Sequence, residues 1–207
     1  MHRRMGIPAF VLLFACLGAA SAAGQAKPVK QAPAPPPLFT TPLTLDEMRG
    51  KQAVIDTTAG RIVLDLLPER APNHVGYFIK LATEGAYDRT TFHRLIRHGI
   101  IQGGDPLSKD PAKKALWGTG GLGVLKAEFS SEPVKRGVVA AVLRPSSKDS
   151  AGTQFFVCLS DQPSLTGKYT IFGEVTEGMD VVDAIGRTPV EGDKPTQRVE
   201  IKSVEIR

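Results

Sequence analysis

Short apolar runs separated by turns that contain Gly or Pro dominate the chain from residue 44 to its C-terminus. In the run 61–67 the apolar residues alternate along the chain, and a period of two is typical of a strand with one buried face. The pattern predicts strands at 52–58, 61–67, 138–143, 153–159, 169–175 and 199–206, with two shorter strands inside the segment 92–105.

Two segments have the spacing of a helix instead. The first opens at Ala71-Pro72, with Pro in the first turn, and ends near Gly85. Its apolar residues recur at helical spacing at Val75, Phe78, Ile79 and Ala82. We expect His74 of this helix to lie at the surface. A second short helix is predicted at 179–185, and the range Thr44–Glu47 has the spacing of a capping box, which predicts one or two helical turns.

The order of these elements decides the fold class. About eight short strands with two widely separated helices do not fit an alternating strand–helix layout. We therefore predict a mostly β fold, a closed eight-stranded antiparallel β-barrel capped by two α-helices, in a domain that spans 44–207.

The N-terminal segments differ from the domain in composition. Residues 1–23 combine a basic start, an apolar stretch and small residues, which predicts a signal peptide and an exported, periplasmic or other extracytoplasmic protein. The run that ends at Cys16 loosely resembles a lipoprotein box, so a lipid anchor at Cys16 is the alternative and the only membrane attachment we expect. Residues 24–43 are rich in Pro and predict an extended tether.

Composition and charge narrow the possible functions. The formal net charge is +5 at pH 7, but the charges are scattered, so we expect no nucleic-acid binding. After signal cleavage Cys158 would be the remaining cysteine, which excludes an internal disulfide. Cys158 lies in an apolar run and is predicted to be a small buried hydrophobe rather than a nucleophile. We expect a monomer.

The segment 92–105 places polar side chains of high hydrogen-bonding capacity within apolar runs. Arg94 offers five N–H donors, and Gln102 offers both a donor and an acceptor. The two residues share one face if the turn at His98-Gly99 preserves the strand register. The alternative to a functional site is an Arg that extends from a strand edge or closes a structural ion pair.

Gln154 and Phe156 are the next candidates. A Gln that enters an apolar strand must satisfy its amide, and alternation places Gln154 and Phe156 on a common face. They line the same pocket as Arg94 and Gln102 in the functional interpretation. In the structural alternative, Phe156 belongs to the core and Gln154 caps a backbone group.

Other motifs support no further chemistry. The range Gly118–Gly123 matches a dinucleotide-binding pattern, but a poor strand precedes it and no sustained helix follows it. We interpret these glycines as a loop that passes close to a ligand or to the barrel mouth. His93 and His98 have no Cys or carboxylate at a useful spacing, so we expect no metal site.

Taken in order, these segments resemble the cyclophilin family of peptidyl-prolyl cis-trans isomerases, in a bacterial exported form. The resemblance begins near Ala53 and runs to the C-terminus. It rests on Phe92-His93-Arg94-Leu95-Ile96, Ile101-Gln102-Gly103-Gly104-Asp105, Gly118-Thr119-Gly120-Gly121, Ser150-Ala151-Gly152-Thr153-Gln154-Phe155-Phe156 and Leu165-Thr166-Gly167-Lys168-Tyr169.

The resemblance implies an enzyme that rotates X-Pro peptide bonds in unfolded or flexible polypeptides, assists protein folding, and uses no cofactor and no metal. It assigns the catalytic roles to Arg94 and Gln102. It implies contacts with the proline-containing substrate at Ile100, Gln154, Phe156, Leu165 and Tyr169, to which we add Phe92, beside the arginine, and Gly118, in the glycine loop.

Two positions depart from the family pattern. Gly99 stands where family members often have a pocket Phe, and Ser164 stands where cyclosporin-sensitive members have a Trp. The missing pocket wall motivates the alternative function, a catalytically weak cyclophilin-like peptide-binding module or chaperone. We expect a working isomerase, because a binding module has little use for a desolvated arginine such as Arg94.

Overall fold

The strands predicted from the sequence form one antiparallel sheet in a computed structural model of the protein, which describes residues 37–207. The predicted signal peptide at 1–23, with Cys16, and most of the predicted tether at 24–43 lie outside the described residues. No helix among the described residues is long and apolar enough to cross a membrane.

Eight strands belong to the main sheet, and two short strands form a separate hairpin. The main sheet consists of β1 (Gln52–Thr57), β2 (Gly60–Leu66), β3 (Arg94–Ile96), β4 (Ile100–Gly103), β5 (Val138–Ala141), β6 (Phe155–Cys158), β7 (Ile171–Glu177) and β10 (Ile201–Ile206). The hairpin consists of β8 (Val190–Glu191) and β9 (Lys194–Pro195), and the sequence pattern did not predict it.

The strand order across the main sheet is β10-β1-β2-β7-β5-β6-β4-β3. Its end strands, β10 and β3, do not pair with each other. Instead the segment 89–92, which leads into β3, bonds to β10 and its approach. The amides of Arg89 and Phe92 donate to the carbonyls of Ile201 (2.8 Å) and Val199 (3.0 Å). The predicted mostly β fold with an eight-stranded antiparallel sheet is confirmed, but the end strands do not close it into a full barrel by pairing with each other.

Three α-helices accompany the sheet: α1 (Leu45–Met48), α2 (Pro72–Thr83) and α3 (Met179–Gly186). The predicted capping box opens α1, because the Thr44 side chain accepts from the Glu47 amide and the Glu47 carboxylate accepts from the Thr44 amide at 2.7 Å. The loop after Asp105 contains two 3-10 helices at Pro106–Lys109 and Pro111–Leu116.

Helix α2 covers the inside of the barrel with its predicted apolar stripe, which is buried at Val75, Phe78, Ile79 and Ala82. The Phe78 ring packs against the rings of Tyr87, Phe172 and Phe155, with centroid distances of 4.9, 5.4 and 6.0 Å. Each such burial stabilises the fold by roughly 1.5–3 kcal/mol relative to an exposed ring. These aromatic contacts hold α2 and β6 in a fixed relation.

The prediction that His74 lies at the surface is wrong, because His74 is buried and bonded to Glu128. The N-cap of α2, Ala71, has no side chain that can cap the helix. The carboxylate of Glu128 takes this role and accepts from the amides of Asn73 and His74, both at 3.1 Å, and from His74 Nδ1 at 2.6 Å. The sequence pattern did not reveal this, since Glu128 lies far along the chain from the helix.

The residues that precede α1 also contact the domain. The Phe39 amide donates to the Val124 carbonyl at 2.8 Å, and the Phe39 ring lies 4.9 Å from that of Tyr77. Leu43 packs partly buried against the core. The boundary at residue 44 stays a prediction, and the structure adds that at least Phe39 and Leu43 pack with the folded part.

We predict that Glu128→Gln lowers the free energy of unfolding by about 1.5–3 kcal/mol, because an amide NH₂ group would face N–H donors that now share a charged acceptor. Burial alone would raise the pKa of Glu128, but the bonds from His74 and Asn73 outweigh it and lower the pKa below its usual value. Because the pKa of Glu128 is lower in the folded than in the unfolded protein, its carboxylate stabilises the folded state at pH values above the unfolded-state pKa. This stabilisation is lost as the pH falls through the folded-state pKa.

Chemical denaturation of wild-type and variant protein between pH 3 and pH 7 checks this prediction. Between pH 7 and pH 3, the free energy of unfolding should decrease less in the variant than in the wild type, because the variant has no carboxylate at position 128 to protonate. Glu132→Gln serves as the matched control, because Glu132 pairs with Arg70 while both side chains are partly exposed. Equal effects of the two substitutions would contradict a special role for Glu128.

Candidate active site

A cleft with a volume of 830 Å³ opens beside strands β3, β4 and β6. Most of the residues predicted from the sequence to form the site line it: Arg94, Ile100, Gln102, Gly118, Phe156, Leu165 and Tyr169. Its remaining wall includes side chains that were not predicted, among them Trp117, Leu122, Val142 and Arg144. The cleft is therefore the candidate active site.

Strand register sets three of these side chains in one row across the sheet. Arg94 on β3 pairs with Gln102 on β4, and Gln102 pairs with Phe156 on β6. Residues paired in this way carry side chains on the same face, with Cβ atoms about 5 Å apart. The prediction that Arg94 and Gln102 share a face is confirmed. The turn preserves the register with His98 in a left-handed conformation, φ 58°.

A chain of hydrogen bonds connects the row to the glycine loop. Gln154 Nε2, in the side chain, donates to the Gly120 carbonyl at 2.7 Å, and Gln102 Nε2 donates to Gln154 Oε1 at 3.0 Å. Gln102 Oε1 in turn accepts from Arg94 Nη1 at 3.3 Å. The prediction that Gln154 lines the pocket is wrong, because Gln154 is buried behind the cleft wall, where it accepts from Gln102.

A second partner of Arg94 was not predicted from the sequence. Arg94 Nε donates to Asp193 Oδ2 at 2.7 Å, and the Leu95 amide donates to the Asp193 carbonyl at 2.8 Å. Asp193 lies between β8 and β9, at the turn of the short hairpin. The local signal in the sequence was the turn composition around Gly192, but nothing in it indicated contact with a residue so distant along the chain.

The apolar wall belongs to a small hydrophobic cluster that is separate from the main core. The Phe156 ring meets the Tyr169 ring edge to face, with centroids 5.3 Å apart, and Ile100 and Leu165 pack beside them. Cys158 is fully buried in this cluster, as predicted, and burial raises the pKa of its thiol to about 12. The thiol is therefore neutral, and this side of the cleft presents hydrocarbon to a ligand.

Phe92 does not contact the cleft, which contradicts its predicted role in substrate binding. Its side chain is completely buried in the main core, with its ring 6.2 Å from that of Phe155. The physical reason is that Phe92 precedes strand β3, which begins at Arg94, so a position near the arginine in sequence does not place its side chain on the cleft face. Phe92 belongs to the segment that bonds across the barrel edges through Val199.

The glycine loop approaches the site closely, as predicted. The buried carboxylate of Asp105 accepts from the amides of Gly118 and Gly120 and so shapes the loop. Gly118 adopts a φ of 93°, which few other residues tolerate, and a Cβ atom at Gly121 would collide with the Thr153 hydroxyl. The loop acts as packing and as a hydrogen-bond acceptor for Gln154.

Trp117 is one of the residues that line the cleft. Its Nε1 donates to the Asp110 carbonyl at 3.1 Å, and the Arg198 guanidinium lies 5.9 Å from the centroid of its ring. Arg198 also donates to the Ser108 carbonyl at 2.9 Å. These contacts fix the loop that carries Trp117 against the segment before β10.

A buried histidine, His93, contacts Gln102. Burial lowers the pKa of His93, so its ring is neutral at pH 7, and its Nε2 lies 3.5 Å from Gln102 Nε2. Within residues 37–207 no group of three or more His, Cys, Asp or Glu side chains is arranged to hold a metal ion.

Comparisons with known proteins agree on one family. Residues 53–206 match the family model described as cyclophilin-type peptidyl-prolyl cis-trans isomerase/CLD. The chain is 36% identical over 154 residues to peptidyl-prolyl cis-trans isomerase cypE of Dictyostelium discoideum. This alignment covers 74% of this chain and 96% of that protein. It is 44% identical over 131 residues to a probable peptidyl-prolyl cis-trans isomerase of Brucella suis, covering 61% and 66%.

A solved structure extends this similarity to three dimensions. The crystal structure of a cyclophilin-type peptidyl-prolyl cis-trans isomerase of Cryptosporidium parvum in the presence of the dipeptide Ala-Pro superposes with a TM-score of 0.68. The sequences are 27% identical, and the match covers 75% of this chain and 98% of the other.

We predict that Phe92→Leu and Phe156→Leu separate folding from ligand binding. Phe92→Leu should lower the free energy of unfolding by about 1–2 kcal/mol, because it removes apolar contacts from the core, and should leave the affinity for an Ala-Pro peptide unchanged. Phe156→Leu should weaken that affinity severalfold, since it removes a wall of the cleft. Urea denaturation and NMR titration measure the two quantities. A folded Phe92→Leu variant with weakened binding would contradict the assignment of Phe92 to the core.

Proposed function

This chain belongs to the cyclophilin-type peptidyl-prolyl cis-trans isomerase family, and we propose that Arg94 is the residue through which its cleft acts on the prolyl bond. The enzyme catalyses cis–trans isomerisation of X-Pro peptide bonds, as its family does, without a cofactor. The observation that carries the proposal is the row formed by Arg94, Gln102 and Phe156 on three adjacent strands.

The reaction makes and breaks no covalent bond. Resonance gives the peptide C–N bond partial double-bond character, and rotation about it has a barrier of roughly 20 kcal/mol. A catalyst must therefore bind the twisted amide more strongly than either planar isomer. In the twisted state the prolyl nitrogen regains its lone pair and becomes a hydrogen-bond acceptor.

Arg94 is suited to donate to that nitrogen. Its guanidinium carries five N–H donors in a planar fork. Two of the donors are engaged by Asp193 and Gln102, while Nη2 has no acceptor among residues 37–207. Arg94 thus keeps free donors in the cleft while its position is fixed at two other nitrogens.

The apolar wall completes the arrangement. Ile100, Phe156 and Leu165 offer a surface against which a proline ring can pack, with Tyr169 closing one side. Water that is excluded from this surface cannot compete for the donor, and a hydrogen bond to a developing lone pair is stronger in a site of low polarity. Gln102 acts by holding the guanidinium.

The alternative, a catalytically weak peptide-binding module or chaperone, rests on Gly99. This residue lines the cleft without a side chain, so the pocket lacks a wall at that point. A module of this kind would bind Ala-Pro peptides without accelerating their isomerisation. Activity of the wild-type protein distinguishes the two functions.

We predict that Arg94→Ala lowers kcat/KM by about 10²–10³-fold, the size of effect expected when one donor to a developing charge is removed. Arg94→Lys should recover little, because an ammonium group cannot reproduce the fork of the guanidinium. A protease-coupled assay with an Ala-Pro-Phe peptide measures the rates.

Arg97→Ala provides the matched control, since Arg97 follows β3 in the same hairpin and is exposed outside the cleft. It should retain wild-type activity. Full activity of Arg94→Ala would exclude the proposed mechanism, whereas an inactive but folded wild-type protein would favour the binding module.

We further propose that the enzyme works outside the cytoplasm as a monomer and acts on flexible proline-containing segments of proteins that are folding there. The basic start, apolar stretch and small residues of 1–23 support export, and the Pro-rich segment 24–43 suits a tether between the cleaved end and the domain. A lipid anchor at Cys16 is the competing processing route.

Expression in a bacterial host with fractionation tests the proposed processing. We expect the mature protein in the periplasmic fraction, with an N-terminus created by cleavage after Ala22 or Ala23 as read by intact-mass spectrometry. The Cys16→Ser variant should be processed in the same way. Incorporation of labelled palmitate that Cys16→Ser abolishes would instead establish a lipoprotein.

A further inference from the structure

Asp193 lies at the turn of the β8–β9 hairpin and contacts the arginine of the site through both its side chain and its backbone. We propose that Asp193 is a positioning residue for Arg94, holding the guanidinium in the orientation in which it donates to the prolyl nitrogen. The inference deepens the proposed function and rests on it, because it takes Arg94 as the donor.

The contacts of the guanidinium carry the first step. Asp193 Oδ2 accepts from Nε at 2.7 Å, and Gln102 Oε1 accepts from Nη1 at 3.3 Å. A planar group that is bonded at two different nitrogens cannot swing about its long side chain. The shorter bond, to a charged acceptor, is the stronger of the two. Asp193 therefore contributes more than Gln102 to the orientation of the plane.

The backbone of the hairpin carries the second step. Val190 pairs with Pro195 and Glu191 with Lys194, and the turn between them includes Gly192 in a left-handed conformation, φ 66°. The Asp193 carbonyl accepts from the Leu95 amide at 2.8 Å. The carboxylate is thus attached to strand β3 at the residue next to Arg94, so the two side chains move as one unit.

The ion pair between Arg94 and Asp193 is partly exposed, which indicates that it matters more for the orientation of Arg94 than for the stability of the fold. The side chains of Arg94 and Asp193 are 41% and 47% exposed. Ion pairs with this exposure contribute little to global stability. The hydrogen bond from Arg94 lowers the pKa of Asp193, so the carboxylate is charged at neutral pH and remains an acceptor. Loss of Asp193 should therefore affect the orientation of Arg94 much more than the fold.

The test compares Asp193→Ala with Asp193→Asn in the full chain, using the same Ala-Pro-Phe peptide assay. We expect Asp193→Ala to lower kcat by about 10–100-fold with little change in KM, because misplacing a donor by a fraction of an ångström weakens its interaction mainly in the transition state. Asp193→Asn keeps an acceptor oxygen and should recover most of that loss. Asp56→Ala, which breaks the exposed ion pair with Arg61 elsewhere on the barrel, should leave activity unchanged.

NMR of ¹⁵N-labelled protein without substrate provides an independent readout. The Nε–H proton of Arg94 should exchange slowly with water in the wild type and in Asp193→Asn, and rapidly in Asp193→Ala. This signal does not depend on catalysis, so a wild type without activity would refute the proposed function while the contact itself is still measured.

Three outcomes would overturn the inference. One is wild-type kcat in Asp193→Ala, and another is a loss that appears only in KM, which would indicate peptide binding instead of positioning. The third is a loss in Asp193→Asn as large as that in Asp193→Ala, which would indicate that charge and not the hydrogen bond matters.

Discussion

The register between three neighbouring strands is the constraint on which the rest of the site depends. Arg94, Gln102 and Phe156 occupy directly opposed positions on β3, β4 and β6, and backbone hydrogen bonds hold these strands together. A slip of one residue in either pair would turn a side chain to the opposite face of the sheet. The backbone pairing alone therefore places Arg94, Gln102 and Phe156 side by side, independently of the contacts between their side chains.

The need of buried polar groups for hydrogen-bond partners then limits the orientations that the side chains of Gln102 and Gln154 can adopt. A buried amide without partners is costly, so Gln102 and Gln154 must direct their groups toward specific acceptors and donors. The hydrogen bonds from Gln154 to Gly120 and from Gln102 to Gln154 leave Gln102 Oε1 facing the guanidinium of Arg94. The glycine loop, which contributes no side chain to this network, thereby influences the arginine through two intermediates.

The strands of the main sheet, α2 and the shared face of Arg94 and Gln102 follow from periodicity and short spacings, and the structure contains them. The strands β8 and β9 were missed because two residues are too few to show a period, and the other failures concern contacts between residues distant in sequence. Phe92 was assigned to the site because it lies beside Arg94, but it is buried in the core. His74 was expected at the surface because its partner, Glu128, is distant in sequence. Asp193 was missed because it is also distant in sequence from its partner, and only the tertiary structure brings the β8–β9 turn beside β3.

The position of β3 at the edge of the sheet explains why a hairpin distant in sequence contacts Arg94. β3 spans only Arg94–Ile96, and one side of it has no strand of the main sheet to pair with. Unpaired edge amides need another acceptor, and the Asp193 carbonyl supplies one to Leu95. The residue that completes the edge also accepts from Arg94. Under the proposed role of Asp193, the hairpin formed by β8 and β9 therefore sets the orientation of Arg94 from a residue outside the cleft wall.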